Sequence, residues 1–390
     1  MIQKDKVKQA MGIVREESVD LWLTIGRETV MNSEPVIPLM STVEFGGITV
    51  IAITKDEAVV LAGHLDSVGM EQMGIYDEVI TYDKSFKTSF FNLLDRFKPN
   101  SIALNYSLDV ASDGLTHGMY LMLEELFKEY DYKGVICSSS NIVNKLRGRK
   151  TLSEVENIKL AIAATEKILN EAKNFIKAGK TQIEIHNFCQ ERIAHYGYDN
   201  AWEIMHNPGV MLPNVPGGHA GPGEFVVKKG DLVTLDFGVR VKKYCSDLQR
   251  VYYVCKDDED DAPEKYKSAL KNIQKAQDAG LALMRAGTPA YVPDEKAREV
   301  IKSFGYPEFN FGFGHQVGLE THDGGVMMGP RWERYLGRIE ANIEVGMVFT
   351  VDINISFEDG NIGQEDMAYI TEEGAVYLTT RQEEIYICKG

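Results

Sequence analysis

Two segments in the C-terminal half of the chain place an acidic side chain inside a run of strand-forming apolar residues. In residues 232–238, polar and apolar positions alternate, so Asp236 faces away from the apolar side. Residues 347–355 alternate in the same way around Asp352. A single acid of this kind is also typical of the solvent side of an edge strand. The pattern therefore predicts antiparallel strands whose acids either face solvent or share a site.

Two further carboxylates fit a shared site. Residues 240–244 predict a turn, after which Asp247 lies on the returning strand, and an antiparallel pair can bring it beside Asp236. Glu365 is predicted to open another strand, residues 365–371, ahead of a Glu-Gly turn. The sequence thus supplies four acids on strands that can lie close together.

Two histidines, His315 and His322, lie seven residues apart in an irregular segment that contains glycine. Four carboxylates and one imidazole are the donors that two divalent cations need. Two carboxylates about 4 Å apart repel by about 4 kcal/mol at an effective dielectric of 20, so four of them would take up protons unless cations cancel the charge. Because all the donors fit one site, a metal centre is favoured over separate solvent-facing acids.

Composition restricts the class of protein. A chain of 390 residues with 44% hydrophobic residues predicts two domains, each with its own core. The formal net charge of −16 argues against a nucleic-acid or anionic-membrane partner. The N-terminus lacks the apolar region of a secretion signal, and no run of 18 apolar residues occurs. Five scattered cysteines without a C-x-x-C pair are typical of reduced thiols, so a cytoplasmic location is expected.

The secondary-structure pattern divides the chain near residue 149. Before it, short strand-like segments alternate with helical ones, which predicts an α/β domain over residues 1–149. A possible capping box at 151–154 then predicts a long helix to about residue 177, and a second at 181–184 predicts a helix that stops at Gly197. A further helix is predicted over about 263–285.

Several segments, in this order and spacing, resemble the creatinase, prolidase and aminopeptidase P family, whose catalytic domain has the pita-bread fold shared with methionine aminopeptidase. They are residues 230–238, 244–250, 314–323, 346–352 and 364–366. The resemblance covers the whole chain. It implies an α/β two-domain protein, with a mixed-sheet, creatinase-like N-terminal domain (1–149) and a pita-bread α+β catalytic domain (150–390). It also implies a homodimer.

The resemblance assigns a role to each candidate site residue. The implied ligands of a dinuclear site are Asp236, Asp247, His315, Asp352 and Glu365, with Asp247 and Glu365 bridging the two ions. Mn²⁺ is the expected metal, with Co²⁺ or Zn²⁺ as alternatives. His219 matches a histidine that contacts substrate and shuttles protons, and His322 matches one that steadies the tetrahedral intermediate.

Three positions depart from the family pattern. Asp352 stands where the family normally has glutamate, and the missing methylene draws the carboxylate back by about 1.5 Å. Gly363 stands where many aminopeptidases P have arginine, and Phe311 where many members have histidine. The last two changes fall on substrate-handling positions. The metal site is therefore more firmly implied than the proline preference.

The function implied is hydrolysis of short peptides by a metal-activated water, in an Xaa-Pro dipeptidase or Xaa-Pro aminopeptidase. Asp352 or Glu365 would take the proton from that water. Two alternatives remain open. One is a creatinase-like, metal-independent hydrolase of a small amide or amidine that uses His219 as acid and base. The other is a catalytically degenerate interaction protein, which the changes at Asp352, Gly363 and Phe311 would fit.

Overall fold

The computed structural model describes residues 1–31, 34–213, 215, 221–335, 337–357 and 360–389. The chain forms two compact units, Met1–Thr151 and Leu152–Gly390. That residues 1–149 and 150–390 fold as separate domains stays a prediction. Within the described residues, every helix is too short or too polar to cross a membrane.

The first unit is built on a six-stranded mixed sheet, as far as the described residues show. Its strands are β1 (Leu21–Gly26), β2 (Thr49–Ile53), β3 (Ala58–Gly63), β4 (Glu78–Tyr82), β5 (Ser101–Leu104) and β6 (Val135–Ser138). Its helices are α1 (Ile2–Glu16), α2 (Ile37–Met40), α3 (His64–Met73), α4 (Phe86–Phe97), α5 (His117–Tyr130) and α6 (Ser140–Gly148), with a 3₁₀ helix at Val110–Ser112.

The strand order of this sheet is β4-β3-β2-β1-β5-β6. Strands β1, β2 and β3 pair antiparallel, whereas β4, β5 and β6 each join a neighbour in parallel. Every residue of the central strand β1 is buried, so its sequence shows no alternation between polar and apolar positions. The predicted mixed sheet of the N-terminal domain is confirmed.

The second unit contains antiparallel sheets and longer helices. Its strands are β7 (Asp199–Asn200), β8 (Gly209–Met211), β9 (Leu232–Phe237), β10 (Val239–Val241), β11 (Tyr244–Cys245), β12 (Leu248–Val254), β13 (Gly314–His315), β14 (Met327–Met328), β15 (Val348–Phe357), β16 (Gly360–Ile370), β17 (Ala375–Tyr377) and β18 (Tyr386–Cys388). Its helices are α7 (Leu152–Phe175), α8 (Gln182–Tyr196), α9 (Glu264–Leu281) and α10 (Tyr291–Ser303), with 3₁₀ helices at Ile204–His206 and Glu333–Tyr335.

The largest sheet of this unit runs in the order β15-β16-β12-β9-β8, and these five strands are antiparallel to their neighbours. One face of β15 enters the core, where Val351 and Ile353 are completely buried. Hydrophobic residues of α9, such as Ile273 and Ala276, belong to the same core. The opposite face of the sheet carries the acids. The predicted alternation around Asp352 is therefore confirmed.

The hairpin between β10 and β11 turns at Lys242 and Lys243, both with positive φ (49° and 75°), as a two-residue hairpin with the favoured twist requires. The predicted turn at 240–244 is confirmed. So is the capping box of α8, in which Thr181 Oγ1 accepts from the Glu184 amide, and the Glu184 carboxylate accepts from the Thr181 amide.

One boundary prediction is wrong. Glu365 does not open its strand, because β16 begins at Gly360 and pairs with β15 along its length. The stretch before Glu365 contains Gly360, Asn361 and Gly363, which have low intrinsic preference for a strand. Pairing with the apolar strand β15 overrides that preference, so Glu365 lies in the middle of β16 rather than at its end.

Candidate metal centre

A row of polar side chains crosses four strands of the large sheet. The strand register places Asp352 of β15 opposite Glu365 of β16, Glu365 opposite Gln249 of β12, and Gln249 opposite Asp236 of β9. Directly opposite residues in antiparallel strands have Cβ atoms about 4.5–5.5 Å apart. The row therefore brings three of the predicted donors together, with Gln249 among them.

Asp247 joins this row from the chain just before β12. It precedes Gln249 by two residues, so its side chain lies on the same face of the sheet, diagonal to Asp236. Its Oδ2 lies 3.5 Å from Nε2 of His315, and the same nitrogen lies 3.9 Å from Oε1 of Glu365. One donor atom each from Asp247, His315 and Glu365 lies within 4.8 Å of the other two.

Buried hydrogen bonds fix the backbone beneath these acids. Gln277 of α9 donates from Nε2 to the carbonyl oxygens of Val351 (2.9 Å) and Gln364 (3.0 Å), the residues just before Asp352 and Glu365. Buried Arg250 donates to the carbonyl oxygen of Glu365 at 2.8 Å. The two carboxylates therefore project from strands whose relative position is set on the opposite side of the sheet.

His315 reaches the acids because β13 lies against β15. The Asp352 amide donates to the Phe313 carbonyl at 2.8 Å, and the His315 amide donates to Thr350 Oγ1 at 3.2 Å. A Cβ on Gly314 would lie 2.0 Å from the Thr350 carbonyl oxygen, so only glycine allows this approach.

A buried ion pair holds the segment that precedes His315. Arg298 donates from Nε to Asp294 Oδ2 at 2.6 Å, and the Phe313 amide donates to Oδ1 of the same carboxylate at 2.9 Å. Both residues of the pair belong to α10, a helix that the sequence analysis does not predict. The position of His315 thus depends on contacts that are distant in sequence.

His322 lies beside His315, with the two ring centroids 4.3 Å apart and the ring planes at 83°. It is exposed, as a residue that contacts substrate would be. His219 falls outside the described residues, so its predicted role has no structural account.

Burial and like charge raise the pKa of three acids well above their ordinary values. For Asp247 the causes are burial, then the charges of Asp236 and Asp352. For Glu365 they are burial, then Asp247 and Asp352, and for Asp352 they are burial and Asp236. Burial lowers the pKa of His315 to about 3, so its imidazole is neutral and can act as a ligand. A cluster of this kind is stable only when the acids are protonated or a cation is bound.

Two oxygen atoms show that the residues fit a cation. Oδ1 of Asp247 and Oδ1 of Asp352 are buried and have no hydrogen-bond partner among the described residues. Asp247 and Glu365 have only 5% and 3% of their surface exposed. Leaving a buried acceptor without a donor is costly, and a divalent ion would satisfy such oxygens. The donor set therefore suits a divalent metal bound by oxygen and imidazole.

The structure shows which residues surround Gly363 and Phe311, two of the positions that depart from the family pattern. Gly363 lies opposite Asn354, and a Cβ there would be 2.5 Å from Oε1 of Gln249. Phe311 packs against the core of the second unit, with its ring centroid 5.3 Å from that of Phe309. A partly buried aromatic residue thus takes the place of a polar one.

The N-terminal unit has a mixed sheet, and antiparallel strands of the second unit carry buried acids and a histidine. Together these features are those of a metal-dependent hydrolase. A model of metallopeptidase family M24 matches residues 156–372 of this sequence, more than half of the chain. The chain therefore belongs to metallopeptidase family M24. The predicted family and enzyme class are confirmed.

Relatives extend the comparison over the whole chain. An Xaa-Pro dipeptidase of Pyrococcus horikoshii is 26% identical over 390 residues, which cover 98% of this chain and 99% of that protein. An uncharacterized peptidase of Staphylococcus haemolyticus is 28% identical over 241 residues, or 61% of this chain and 64% of that protein.

The crystal structure of an X-Pro aminopeptidase from Thermotoga maritima has the same fold. Its TM-score is 0.73 at 23% identity, and the superposition covers 96% of this chain and 99% of that one. At this identity the likeness concerns the fold alone. The predicted fold, a mixed-sheet N-terminal domain followed by a pita-bread catalytic domain, is confirmed.

Proposed function

We propose that this metallopeptidase hydrolyses short peptides as an Xaa-Pro dipeptidase or Xaa-Pro aminopeptidase. The observation that carries the proposal is the cluster of Asp247, His315 and Glu365, whose donor atoms lie within 4.8 Å of one another. The name Xaa-Pro dipeptidase of the P. horikoshii relative supports the proline preference. A homodimer and a cytoplasmic location also belong to the proposal.

The proposed ligands of two divalent ions are Asp236, Asp247, His315, Asp352 and Glu365. Mn²⁺ is the expected metal, with Co²⁺ or Zn²⁺ as alternatives. Metal ions in such a site lower the pKa of bound water towards about 7 and polarise the carbonyl group of a substrate. The raised pKa values of the three buried acids support this arrangement, because two cations would cancel their mutual repulsion.

The side chains around the metals take up the remaining steps. Asp352 or Glu365 would accept the proton of the attacking water, since the two carboxylates lie opposite each other in the row of acids. His322 donates a hydrogen bond to the oxyanion that develops on the substrate, and His219 carries protons to the leaving nitrogen.

Turnover on defined peptides tests this proposal. The protein is purified without chelator, stripped of metal, and supplied with Mn²⁺ or Co²⁺. Xaa-Pro dipeptides, longer peptides that begin with Xaa-Pro, and matched Xaa-Ala peptides are then assayed. Metal-dependent cleavage of the Xaa-Pro bond is expected, and the preferred length separates a dipeptidase from an aminopeptidase.

Three other outcomes would contradict the proposal. Metal-dependent cleavage of Xaa-Ala as fast as Xaa-Pro would refute the proline preference. Turnover of a small amide or amidine in the presence of chelator would favour the metal-independent hydrolase. Absence of any turnover with metals bound would favour an interaction protein, in line with the changed residues Asp352, Gly363 and Phe311.

A further inference from the structure

Gln249 is a neutral side chain in the middle of the row of acids. The strand register places it between Glu365 and Asp236, and it is 7% exposed. It is buried against carboxylates on both sides but adds no charge to them. A primary amide has two N–H donors and one carbonyl acceptor, so it can serve more than one acid at a time.

The amide of Gln249 distinguishes the two oxygens of Glu365. Its Nε2 donates to Oε2 of Glu365 at 3.0 Å, whereas Oε1 of Glu365 lies on the side of His315, 3.9 Å from Nε2 of that ring. This hydrogen bond therefore orients Glu365 so that its other oxygen, Oε1, lies on the side of His315.

The space for this amide depends on Gly363. A Cβ on residue 363 would lie 2.5 Å from Oε1 of Gln249 and 3.0 Å from Nδ2 of Asn354. Real Cβ atoms essentially never approach within 3.0 Å, so any side chain at 363 would displace the amide of Gln249. The φ angle of Gly363 is not in the left-handed region, so the glycine is needed for space and not for backbone shape.

We propose that Gln249 is a positioning residue, which orients Glu365 as a metal ligand, and that Gly363 is the glycine that makes room for it. This inference rests on the proposed metal site. Groups that hydrogen-bond to metal ligands fix their orientation, and their loss typically weakens metal binding by about 10–100-fold. The arrangement also gives the glycine at 363 a role in the metal site.

The first test replaces Gln249 by methionine, which keeps the length of the side chain and removes the amide. Calorimetric titration of the metal-stripped protein with Mn²⁺ is expected to give about 10–100-fold weaker binding than in the wild type. The visible absorption of the Co²⁺-loaded protein is expected to shift, because ligand geometry changes. Gln274→Met is the matched control. Gln274 is also buried, but it donates to the carbonyl of Gln382 instead of an acid.

The second test is a double-mutant cycle between the two positions. Gly363→Ala is expected to weaken Mn²⁺ binding in the wild type, where the new methyl group meets Gln249. It is expected to have no further effect in a Gln249→Ala background, where that contact is absent. The coupling separates an effect through Gln249 from a general loss of stability.

The outcomes distinguish this inference from the metal site itself. If the wild type binds no Mn²⁺ or Co²⁺, the metal site and the inference are both wrong. If the wild type binds metal and folded Gln249→Met binds it equally well with an unchanged Co²⁺ spectrum, only the inference is overturned. Equal effects of Gly363→Ala in the two backgrounds would also overturn it.

Discussion

Replacing Asp247 by asparagine should stabilise the metal-free protein while it removes metal binding. Asp247 is buried beside other acids, and its Oδ1 has no partner among the described residues. Burial, Asp236 and Asp352 all raise its pKa well above 3.8. In the metal-free protein at neutral pH, the Asp247 carboxyl group must therefore either be ionised and repelled by the neighbouring acids or keep its proton. Asparagine is similar in shape and needs neither.

Two independent considerations give the size of the expected increase in the stability of the metal-free protein. Ionised acids about 4 Å apart repel by about 4 kcal/mol at an effective dielectric of 20. Holding a proton at pH 7, instead of releasing it at the ordinary pKa of 3.8, costs about 1.4 kcal/mol for each pH unit, or about 4 kcal/mol. Asparagine should recover part of this energy, about 1–4 kcal/mol. A change of 1 kcal/mol moves the melting temperature by about 2–4 °C in a domain of this size.

The direction of this stability change can also be checked by measuring how the stability of the metal-free protein depends on pH. A carboxyl whose pKa is raised by folding stabilises the protein at low pH, and this contribution is lost as pH rises above the unfolded values of 3.8 for Asp and 4.5 for Glu. His315, with its pKa lowered to about 3, acts in the opposite direction below pH 6.5, but three acids outnumber it. The stability of the metal-free wild type should therefore fall from about pH 4.5 towards neutral pH, and more steeply than that of Asp247→Asn.

Scanning calorimetry measures the melting temperature first in chelator and then after an excess of Mn²⁺ is added, so it reports both the stability of the metal-free protein and its increase on metal binding. In chelator, Asp247→Asn should melt several degrees above the wild type. With Mn²⁺ the wild type should gain stability through binding, and the variant should gain little. Asp260→Asn, an exposed acid paired with Lys389, is the matched control and should change neither value. A variant that melts below the wild type in chelator, yet gains as much from Mn²⁺, would refute the reasoning.

Two further substitutions test individual side chains. His322→Ala should lower kcat by about 10²-fold with its metal content unchanged, because the proposed contact is to the substrate; loss of metal on analysis of the purified variant would make His322 a ligand instead. Asp352→Glu should raise the number of metal ions per chain in the purified protein, because the longer side chain restores the reach of the carboxylate. A variant that binds less metal than the wild type would show that the strand already places aspartate correctly.

Local patterns predict only part of the site. Alternation along a strand identifies Asp236 and Asp352, because a polar residue opposite a buried face is visible in the sequence itself. Asp247 follows from the turn before it. Gln249 is missed, although it follows Asp247 by two residues and lies on the same face of the sheet, because only the pairing register shows that Glu365 is its neighbour.

Long-range packing explains the other differences between sequence and structure. The start of β16 at Gly360 is set by pairing with β15, which overrides the weak strand preference of the residues before Glu365. Such contacts have no local signal, so a single sequence cannot reveal them.

Anomalous diffraction from crystals soaked in Mn²⁺ tests the central claim most directly. The account predicts two anomalous peaks about 3.5–4 Å apart, the separation typical of two-metal sites. Their ligands should be Asp236, Asp247, His315, Asp352 and Glu365. Peaks elsewhere in the molecule, or donor atoms of these five residues more than about 8 Å apart, beyond what two such ions could share, would contradict it.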